Sequence, residues 1–476
     1  MIIYNTLTRS KEEFVPLKKG VASIYSCGPT VYGYAHIGNM RTYVFMDFLR
    51  RVMKYNGLKL KHVMNVTDVG HLVSDADEGE DKVVRTAKET GKTPYEIAEY
   101  FSEVFFRDIA LLNIEKPEII AKATDNISEM IEYVEALVDK GFAYETSDGI
   151  YFDIMKFPGY GRLSRIDLEE QLAGSRVEVN EEKHHPADFA LWKKASKEHI
   201  MQWPSPWGMG YPGWHIECSA MGRKYLGDIF DIHTGGVDHI PIHHENEIAQ
   251  SEALAGKKTV NCWMHGEFLL VDNGKMSKSL GNTYTIADLQ EKGFVPLAFR
   301  YFCMNAHYRS KLNFTWDSLR AAQTSLERLY EGVLAHKAAA ASSSPAGVSV
   351  SAEAENCLKE FEEAINDDLN IPKALGIVWN TVKKSLKSKQ IYDVLMKMDR
   401  VLGLDLDKAE EVMSGKSMGR QAEDQEVEKQ VLELVDKRNK ARAEKDWKTA
   451  DEIRDILKAK GITIEDTPDG ARIIKT

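Results

Sequence analysis

Four side chains in this sequence combine as a possible binding site for a metal ion. His243 and Glu247 are four residues apart, so a helix would place both on one face. Cys27 closes the first predicted strand, and Cys218 comes shortly before the histidine. Two thiolates, an imidazole and a carboxylate suit tetrahedral Zn²⁺. The set favours a zinc site, although such a His/Glu pair is more often a surface contact and free cysteines are often simply buried.

A metal held by all four residues would normally be structural, because no position would remain for a substrate. A substrate that is itself a thiol is the exception, since its thiolate could join as a fifth ligand at about 2.3 Å. The hydroxyl of serine is a much poorer ligand. A selectivity for cysteine over serine on the order of 10⁴ would then need no second, editing site.

A glycine-containing tetrapeptide, His36–Asn39, is predicted at the start of a helix that faces the carboxyl edge of a sheet. Gly28 and Gly38 would allow the backbone to approach a phosphate closely, and His36 and Asn39 can donate hydrogen bonds. The tetrapeptide alone is weak evidence, because such a segment is more often a simple turn. Its position beside Cys27 nevertheless favours a nucleotide site.

The pentapeptide Lys275–Ser279 is a stronger signal for a nucleotide. Lys275 and Lys278 lie between Gly274 and Gly281, a composition suited to closing over a polyphosphate and stabilising the departing pyrophosphate. The alternative is a basic surface loop. With His36–Asn39, this segment suits attack by a carboxylate on the α-phosphate of ATP, bound with Mg²⁺, and such a nucleophile needs no general base.

The elements that position these motifs are predicted to form an α/β fold. Val21–Ser26 has the pattern of a buried strand, Tyr43–Met53 that of a helix, and Leu60–Val66 that of a second strand, which together predict a βαβ unit of a Rossmann-like parallel sheet. Residues 82–140 are predicted to be mostly helical. A loop-rich insertion is expected to split this domain up to Pro206, and the sheet to resume near Ile229.

Two segments are predicted to be linkers, His336–Ser351 and Met413–Asp424. An all-helical bundle is expected between them. A further helical stretch is predicted over Glu426–Lys460, followed by a short β-like tail, Ile462–Ile474. A small C-terminal module therefore follows the bundle.

Composition limits the possible functions. The 476 residues have a net charge of -11, which argues against indiscriminate coating of nucleic acid, and five scattered cysteines indicate a reducing compartment. Charges interrupt every apolar run, so we expect neither an export signal nor a membrane span. We therefore expect a cytoplasmic protein, and a monomer because no heptad pattern is evident.

Seven segments together resemble one known family, the class I aminoacyl-tRNA synthetases and, within them, the cysteinyl enzymes. These segments are Cys27–Tyr32, His36–Asn39, Asn65–Asp68, Gly213–Met221, His243–Glu247, Lys275–Ser279 and His307–Ser310. The resemblance covers nearly the whole chain. It implies activation of L-cysteine with ATP to cysteinyl-adenylate and pyrophosphate, and transfer of cysteine to the 3′ end of tRNA(Cys).

The resemblance also implies roles for individual residues. Zinc would be held by Cys27, Cys218, His243 and Glu247, and ATP would be served by Gly28, His36, Gly38, Asn39, Lys275 and Lys278. The cysteine pocket would be shaped by Thr67, Trp214, His233 and Asp238, and the anticodon bases would be read by Arg442, Trp447, Asp451 and Asp466.

The expected domains follow from this resemblance. They are the first half of the catalytic domain (1–120), an insertion (121–205), the second half (206–265), a stem-contact region (266–318), a helical bundle (319–412) and an anticodon-binding domain (425–476). The stem-contact region contains Lys275–Ser279, which we call the lysine loop.

Two other functions are compatible with parts of the sequence. A cysteine ligase of the same ancestry that acts on a small amine, such as an amino-sugar, would share the zinc and ATP residues but would not require the long C-terminal helical region. A non-catalytic RNA-binding paralogue with structural zinc would have little need for both phosphate motifs.

Overall fold

The computed structural model describes residues 1–68, 92–165, 181–196, 199–277, 280–341 and 348–413, together with 434, 437–438, 441, 446, 449–450, 453–454, 457, 462–467 and 470–475. The chain forms two compact units, Met1–Asp407 and Lys408–Thr476.

A five-stranded, all-parallel sheet forms the centre of the first unit. Its strands, in chain order, are β3 (Val21–Ser26), β4 (Lys59–Val66), β5 (Ile119–Lys122), β11 (Phe230–Gly236) and β12 (Val260–Gly266), and their spatial order is β12-β11-β3-β4-β5. A short hairpin, β1 (Ile2–Asn5) with β2 (Ser10–Glu13), precedes them. Helices connect the parallel strands: α1 (Ile37–Tyr55), α2 (Pro94–Leu111), α3 (Ile127–Asp139), α4 (Trp214–Leu226) and α5 (His243–Ala255). The predicted Rossmann-like α/β fold is confirmed.

An insertion between β5 and β11 contains a second, antiparallel sheet of five strands. These are β6 (Ala143–Glu145), β7 (Gly149–Phe152), β8 (Phe189–Lys194), β9 (Trp203–Ser205) and β10 (Gly208–Pro212), in the order β6-β7-β8-β10-β9. The stretch that is predicted to be loop-rich contains two of these strands, β8 and β9. Ile150 pairs with Trp192, a partner distant in sequence, and both side chains are buried in a core shared with the parallel sheet. Local patterns cannot show such a pairing.

The remainder of the first unit consists of a small sheet followed by a helical bundle. The sheet contains β13 (Leu269–Val271), β14 (Gly274–Lys275) and β15 (Leu312–Phe314), with the helices α6 (Ile286–Glu291) and α7 (Pro296–Cys303) between its second and third strands. The bundle contains α8 (Trp316–Ala341), α9 (Val348–Asn366), α10 (Ile371–Val382) and α11 (Lys389–Leu402).

The first predicted linker is largely helical. Helix α8 continues through Ala341 and α9 begins at Val348, so only 342–347 of the predicted segment lies outside the described residues. His336 is buried, with its Nε2 3.1 Å from the carbonyl oxygen of Val382. Alanine has the highest helix propensity of any residue type, so the alanine run that suggested a linker continues the helix instead. The packing of His336 holds this part of the helix in place.

The second unit is described in part. Helix α12 (Ala409–Met413) begins it, and a hairpin of β16 (Ile462–Thr467) and β17 (Gly470–Lys475) ends it. The predicted β-like tail is therefore confirmed, while the second predicted linker lies outside the described residues beyond Met413. None of the helices in the described part of the chain is long and apolar enough to cross a membrane.

Candidate active site

The carboxyl edge of the parallel sheet forms the floor of a cavity of about 380 Å³. Cys27 follows β3, Thr67 follows β4, and Asp238 follows β11, so three strand ends deliver side chains to one place. The N-terminal turns of α4 and α5 add Trp214 and His243. The cavity lies where functional groups are expected in an open α/β sheet.

Four buried donors meet at one end of this cavity. The candidate ligand atoms of Cys27, Cys218, His243 and Glu247 all lie within 4.8 Å of one another. His243 and Glu247 face the same side of α5, with Nε2 and Oε1 3.0 Å apart. The spatial grouping predicted from the sequence is thus present, and its soft and borderline donors fit zinc chemically.

The charges of this cluster suit a cation. Burial acts to raise the pKa of the Cys218 thiol, but the hydrogen bond with Cys27 and the charge on His243 bring it to about 6. Burial likewise acts to raise the pKa of Glu247, and the neighbouring His233 and His243 lower it to about 2. Cys218 and Glu247 are therefore both negatively charged at neutral pH. Burial acts to lower the pKa of His243, but these two groups raise it to about 10, so a metal ion would take the place of the His243 proton.

Two buried histidines beside the cluster were missed by sequence reasoning. His244 Nε2 lies 3.2 Å from Cys27 Sγ, and its Nδ1 lies 2.8 Å from Nε2 of His265. Burial lowers the pKa of both imidazoles well below the usual value, so both are neutral. Together with Cys27, His233 and Glu247, His244 forms a second, overlapping set of possible ligands. Its adjacency to His243 was an available signal, whereas His265 had none.

The predicted cysteine-pocket residues take two positions. Thr67, Trp214 and Asp238 line the large cavity. His233 lies behind the cluster, where it hydrogen-bonds Glu247 with Nε2 and Oε2 2.8 Å apart and lines a smaller cavity of about 150 Å³. The contacts of His233 are thus with a candidate metal ligand. A further buried residue, Glu217, accepts a hydrogen bond from Thr67 Oγ1 at 2.8 Å and was not anticipated.

The tetrapeptide His36–Asn39 begins α1 with a reciprocal cap. The backbone N–H of Asn39 donates to His36 Nδ1 at 3.2 Å, and the N–H of His36 donates to Asn39 Oδ1 at 3.1 Å. Both side chains line the cavity. The cap holds the positive end of the helix dipole at the cavity wall, an arrangement that favours anions such as phosphate.

The lysine loop reaches the same cavity beside the N-terminus of α1. Met276 and Ser277 line it, and Met276 lies close to Gly38, where an added Cβ would be 3.6 Å from its Cε. The loop is held by Asn282, which accepts from the Ser277 N–H and donates to the Lys275 carbonyl. Lys275 is at the end of β14, and Lys278 lies outside the described residues.

Gly28 is expected to tolerate no side chain. A Cβ there would stand 1.7 Å from the Asn65 carbonyl oxygen and 2.8 Å from Met64 Cγ, so the strand ends would have to separate. We expect Gly28→Ala to lower the free energy of unfolding by about 2 kcal/mol and to reduce zinc binding, because Cys27 would move. Urea unfolding and zinc content measure the two effects.

Gly376 provides the matched control for this change. It lies within α10 with open space around its Cα, so Gly376→Ala should raise the free energy of unfolding by about 0.5–1 kcal/mol and leave zinc content unchanged. Equal behaviour of the two variants would show that the close approach at Gly28 is unimportant.

Comparison with known proteins agrees with this architecture. Residues 13–324 match the family described as the tRNA synthetases class I (C) catalytic domain, and residues 424–473 match the cysteinyl-tRNA ligase anticodon binding domain. A cysteine–tRNA ligase of Burkholderia lata is 46% identical over 99% of this chain and 96% of its own length. One from Treponema denticola is 45% identical, covering 98% and 97%. The chain belongs to the cysteine–tRNA ligase family.

Solved structures show the same fold at greater distance. The methionyl-tRNA synthetase of Mycobacterium tuberculosis, in complex with methionyl-adenylate, aligns with a TM-score of 0.56 over 82% of this chain and 91% of its own, at 13% identity. Membership of the cysteine–tRNA ligase family extends through the C-terminal module, a region that a ligase for a small amine would not require.

Three of the four candidate anticodon residues of this member of the cysteine–tRNA ligase family lie outside the described residues. This is so for Arg442, Trp447 and Asp451. Asp466 is on β16, where its backbone is paired with Ala471, and its side chain is not among those described. Their roles stay predictions.

Proposed function

We propose that this chain joins L-cysteine to tRNA(Cys) in two steps at the carboxyl edge of its parallel sheet. The observation that carries the proposal is one continuous cavity. Cys27, Cys218 and His243 line this cavity and form one buried cluster with Glu247, and the cavity is also lined by His36, Asn39 and the loop that follows Lys275. Thiol recognition and phosphate recognition therefore face each other across the space that a small adenylate needs.

Cys27, Cys218, His243 and Glu247 would hold Zn²⁺, which when bound supplies a Lewis-acidic position for the thiolate of the substrate. His233, His244 and Glu217 support this set by hydrogen bonds to its members or to Thr67. Such supporting contacts fix the orientation of ligands and tune their basicity. Discrimination against serine would follow from ligand chemistry, without an editing site.

In the first step, a carboxylate oxygen of cysteine attacks the α-phosphorus of ATP, and the bond to the bridging oxygen breaks to release pyrophosphate. Thr67, Trp214 and Asp238 are proposed to orient the amino acid. His36, Asn39 and the N-terminus of α1 would bind the phosphates of ATP, which enters with Mg²⁺. Lys275 and Lys278 would stabilise the negative charge of the departing pyrophosphate.

In the second step, a ribose hydroxyl at the 3′ end of tRNA attacks the adenylate carbonyl, and AMP leaves with the proton of the hydroxyl transferred to solvent or phosphate. We assign recognition of the anticodon to 425–476, with Arg442, Trp447, Asp451 and Asp466 as candidate base contacts. The other domain limits are proposed as predicted, except that the insertion sheet extends to Pro212. The five free cysteines support a cytoplasmic location.

Cysteine-dependent exchange between ATP and pyrophosphate, followed by charging of total tRNA, tests the proposal. We expect exchange with cysteine, at most about one ten-thousandth of that rate with serine, and loss of exchange after removal of metal. Exchange without charging would instead favour the small-amine ligase. Absence of any exchange by the metal-loaded protein would reject the enzyme and favour a non-catalytic paralogue.

A further inference from the structure

One wall of the large cavity has no part in the two roles described above. The metal cluster forms the floor, and His36, Asn39 and Met276 belong to the nucleotide end. The third wall is aromatic and includes Tyr34 and Phe101. A reaction with three substrates leaves one of them, the RNA, without an assigned surface at this cavity.

The aromatic wall continues out of the cavity onto an exposed ledge formed by Tyr34, Tyr100 and Phe101. Tyr34 is 53% exposed and Tyr100 is 37% exposed. The Tyr34 and Phe101 rings meet edge to face, with centroids 5.1 Å apart, and Tyr100 contacts Phe101 at the same distance. This packing holds the rings in place while leaving part of their surface open to solvent.

A hydrogen bond holds the two tyrosines of the ledge together. Their hydroxyl oxygens are 3.0 Å apart. This bond raises the pKa of Tyr34 to about 12, so its hydroxyl keeps its proton at neutral pH. The ledge therefore presents fixed ring surface, and the exposed carboxylates of Glu96 and Glu103 lie one helical turn before and after Tyr100 on α2.

Two cations flank the ledge. Lys92 Nζ lies 5.2 Å from the centroid of the Tyr100 ring. Arg107 is seven residues after Tyr100 on α2, hence on the same face, and its side chain is 44% exposed and paired with Asp108 at 3.1 Å. Aromatic rings beside cations are the combination that binds unpaired nucleotides, through base stacking and phosphate contacts respectively.

We infer that the ledge of Tyr34, Tyr100 and Phe101 stacks the unpaired nucleotides at the 3′ end of the tRNA as that end enters the cavity. The inference rests on the proposed function, because only a transfer to RNA brings such nucleotides to this place. The terminal ribose must reach the adenylate, so the nucleotides just before it must cross the cavity mouth. The ledge is an aromatic surface that is continuous with the cavity, because Tyr34 and Phe101 also line the cavity.

The test compares Tyr100→Ala with the unchanged protein on two RNAs, a full tRNA(Cys) transcript and one that lacks its three 3′-terminal nucleotides. We expect the variant to keep the rate of cysteine-dependent ATP–pyrophosphate exchange and to raise the KM for the full transcript about tenfold. Inhibition by the shortened transcript should be equal for the two proteins. Tyr100→Phe should restore most of the affinity, because it keeps the ring.

The control is Tyr392→Ala on α11, a partly exposed tyrosine of the helical bundle, which should leave the KM for the full transcript and the inhibition by the shortened one unchanged. Equal charging of the full transcript by Tyr100→Ala would overturn the inference, as would an equal loss of affinity for both transcripts. A raised KM for ATP would assign the ledge to the nucleotide instead. Absence of exchange in the unchanged protein would contradict the proposed function. Failure of the proposed function can therefore be told apart from failure of the inference about the ledge.

Discussion

Cys218→Ser is expected to lower the affinity for zinc by about 100-fold and cysteine-dependent exchange by at least as much. The four ligands of a structural zinc site together supply a binding free energy of about 10–16 kcal/mol, so one ligand supplies about 3 kcal/mol. That free energy corresponds to a change in affinity of about 100-fold. Cys218 suits this test because its thiol is ionised at neutral pH, and a serine hydroxyl at the same place would not be. Zinc content after dialysis against a chelator, together with exchange, measures both effects.

Cys262 provides the matched control. It is also buried, on β12, and burial raises the pKa of its thiol, so it behaves as a small neutral side chain. Cys262→Ser should retain wild-type zinc content. If Cys218→Ser held zinc as tightly as the unchanged protein, Cys218 would not be a ligand, and the overlapping set with His233 and His244 would be the alternative.

The second large effect is expected at Asp47, which is fully buried in α1. Its Oδ2 accepts from Arg300 Nη2 at 2.6 Å and from Arg51 Nε at 2.7 Å, and its Oδ1 accepts from the Glu115 N–H at 2.9 Å. Arg300, also fully buried, donates to the carbonyl oxygen of Leu402 in the helical bundle. Asp47 thereby joins the helix that begins at the nucleotide end of the cavity to the bundle.

Asp47→Asn should lower the free energy of unfolding by about 3–5 kcal/mol, because it removes the paired carboxylate of the fully buried Arg300 and one of the two carboxylates paired with Arg51. Urea unfolding measures this. Asp393→Asn is the control, since Asp393 forms an exposed pair with Lys389 and its loss should cost less than about 0.5 kcal/mol. A similarly small change at Asp47 would mean that water or another carboxylate compensates the arginines.

The Asp47 effect should depend on pH in a defined direction. Burial acts to raise the pKa of Asp47, but Arg300 and Arg51 outweigh it and hold the pKa below the usual value. The stabilisation is therefore present above the unfolded-state pKa of about 4 and is lost as the pH falls through the lower folded-state pKa. The difference in unfolding free energy between the unchanged protein and Asp47→Asn should shrink over that acidic range.

Much of the candidate site could be predicted from the sequence because its determinants are local. His243 and Glu247 share a helix face by their spacing alone, and the cap that positions His36 and Asn39 lies within four residues. The run from Val21 through Val66 contains a whole βαβ unit, so its parallel pairing follows from short-range patterns.

The tertiary structure alone decided other features, for a common physical reason: their partners are far apart in the chain. Strand β7 pairs with β8 across about 40 intervening residues, and Asp47 meets Arg300, which lies 253 positions later. His233 lies next to Thr234 in a buried strand, and the sequence does not show which way its side chain points. Packing places it against Glu247, behind the cluster. Residue types and spacing determined which chemistry this chain can perform. The fold decided which side chains reach the cavity, because burial and long-range pairing depend on contacts that no local pattern contains.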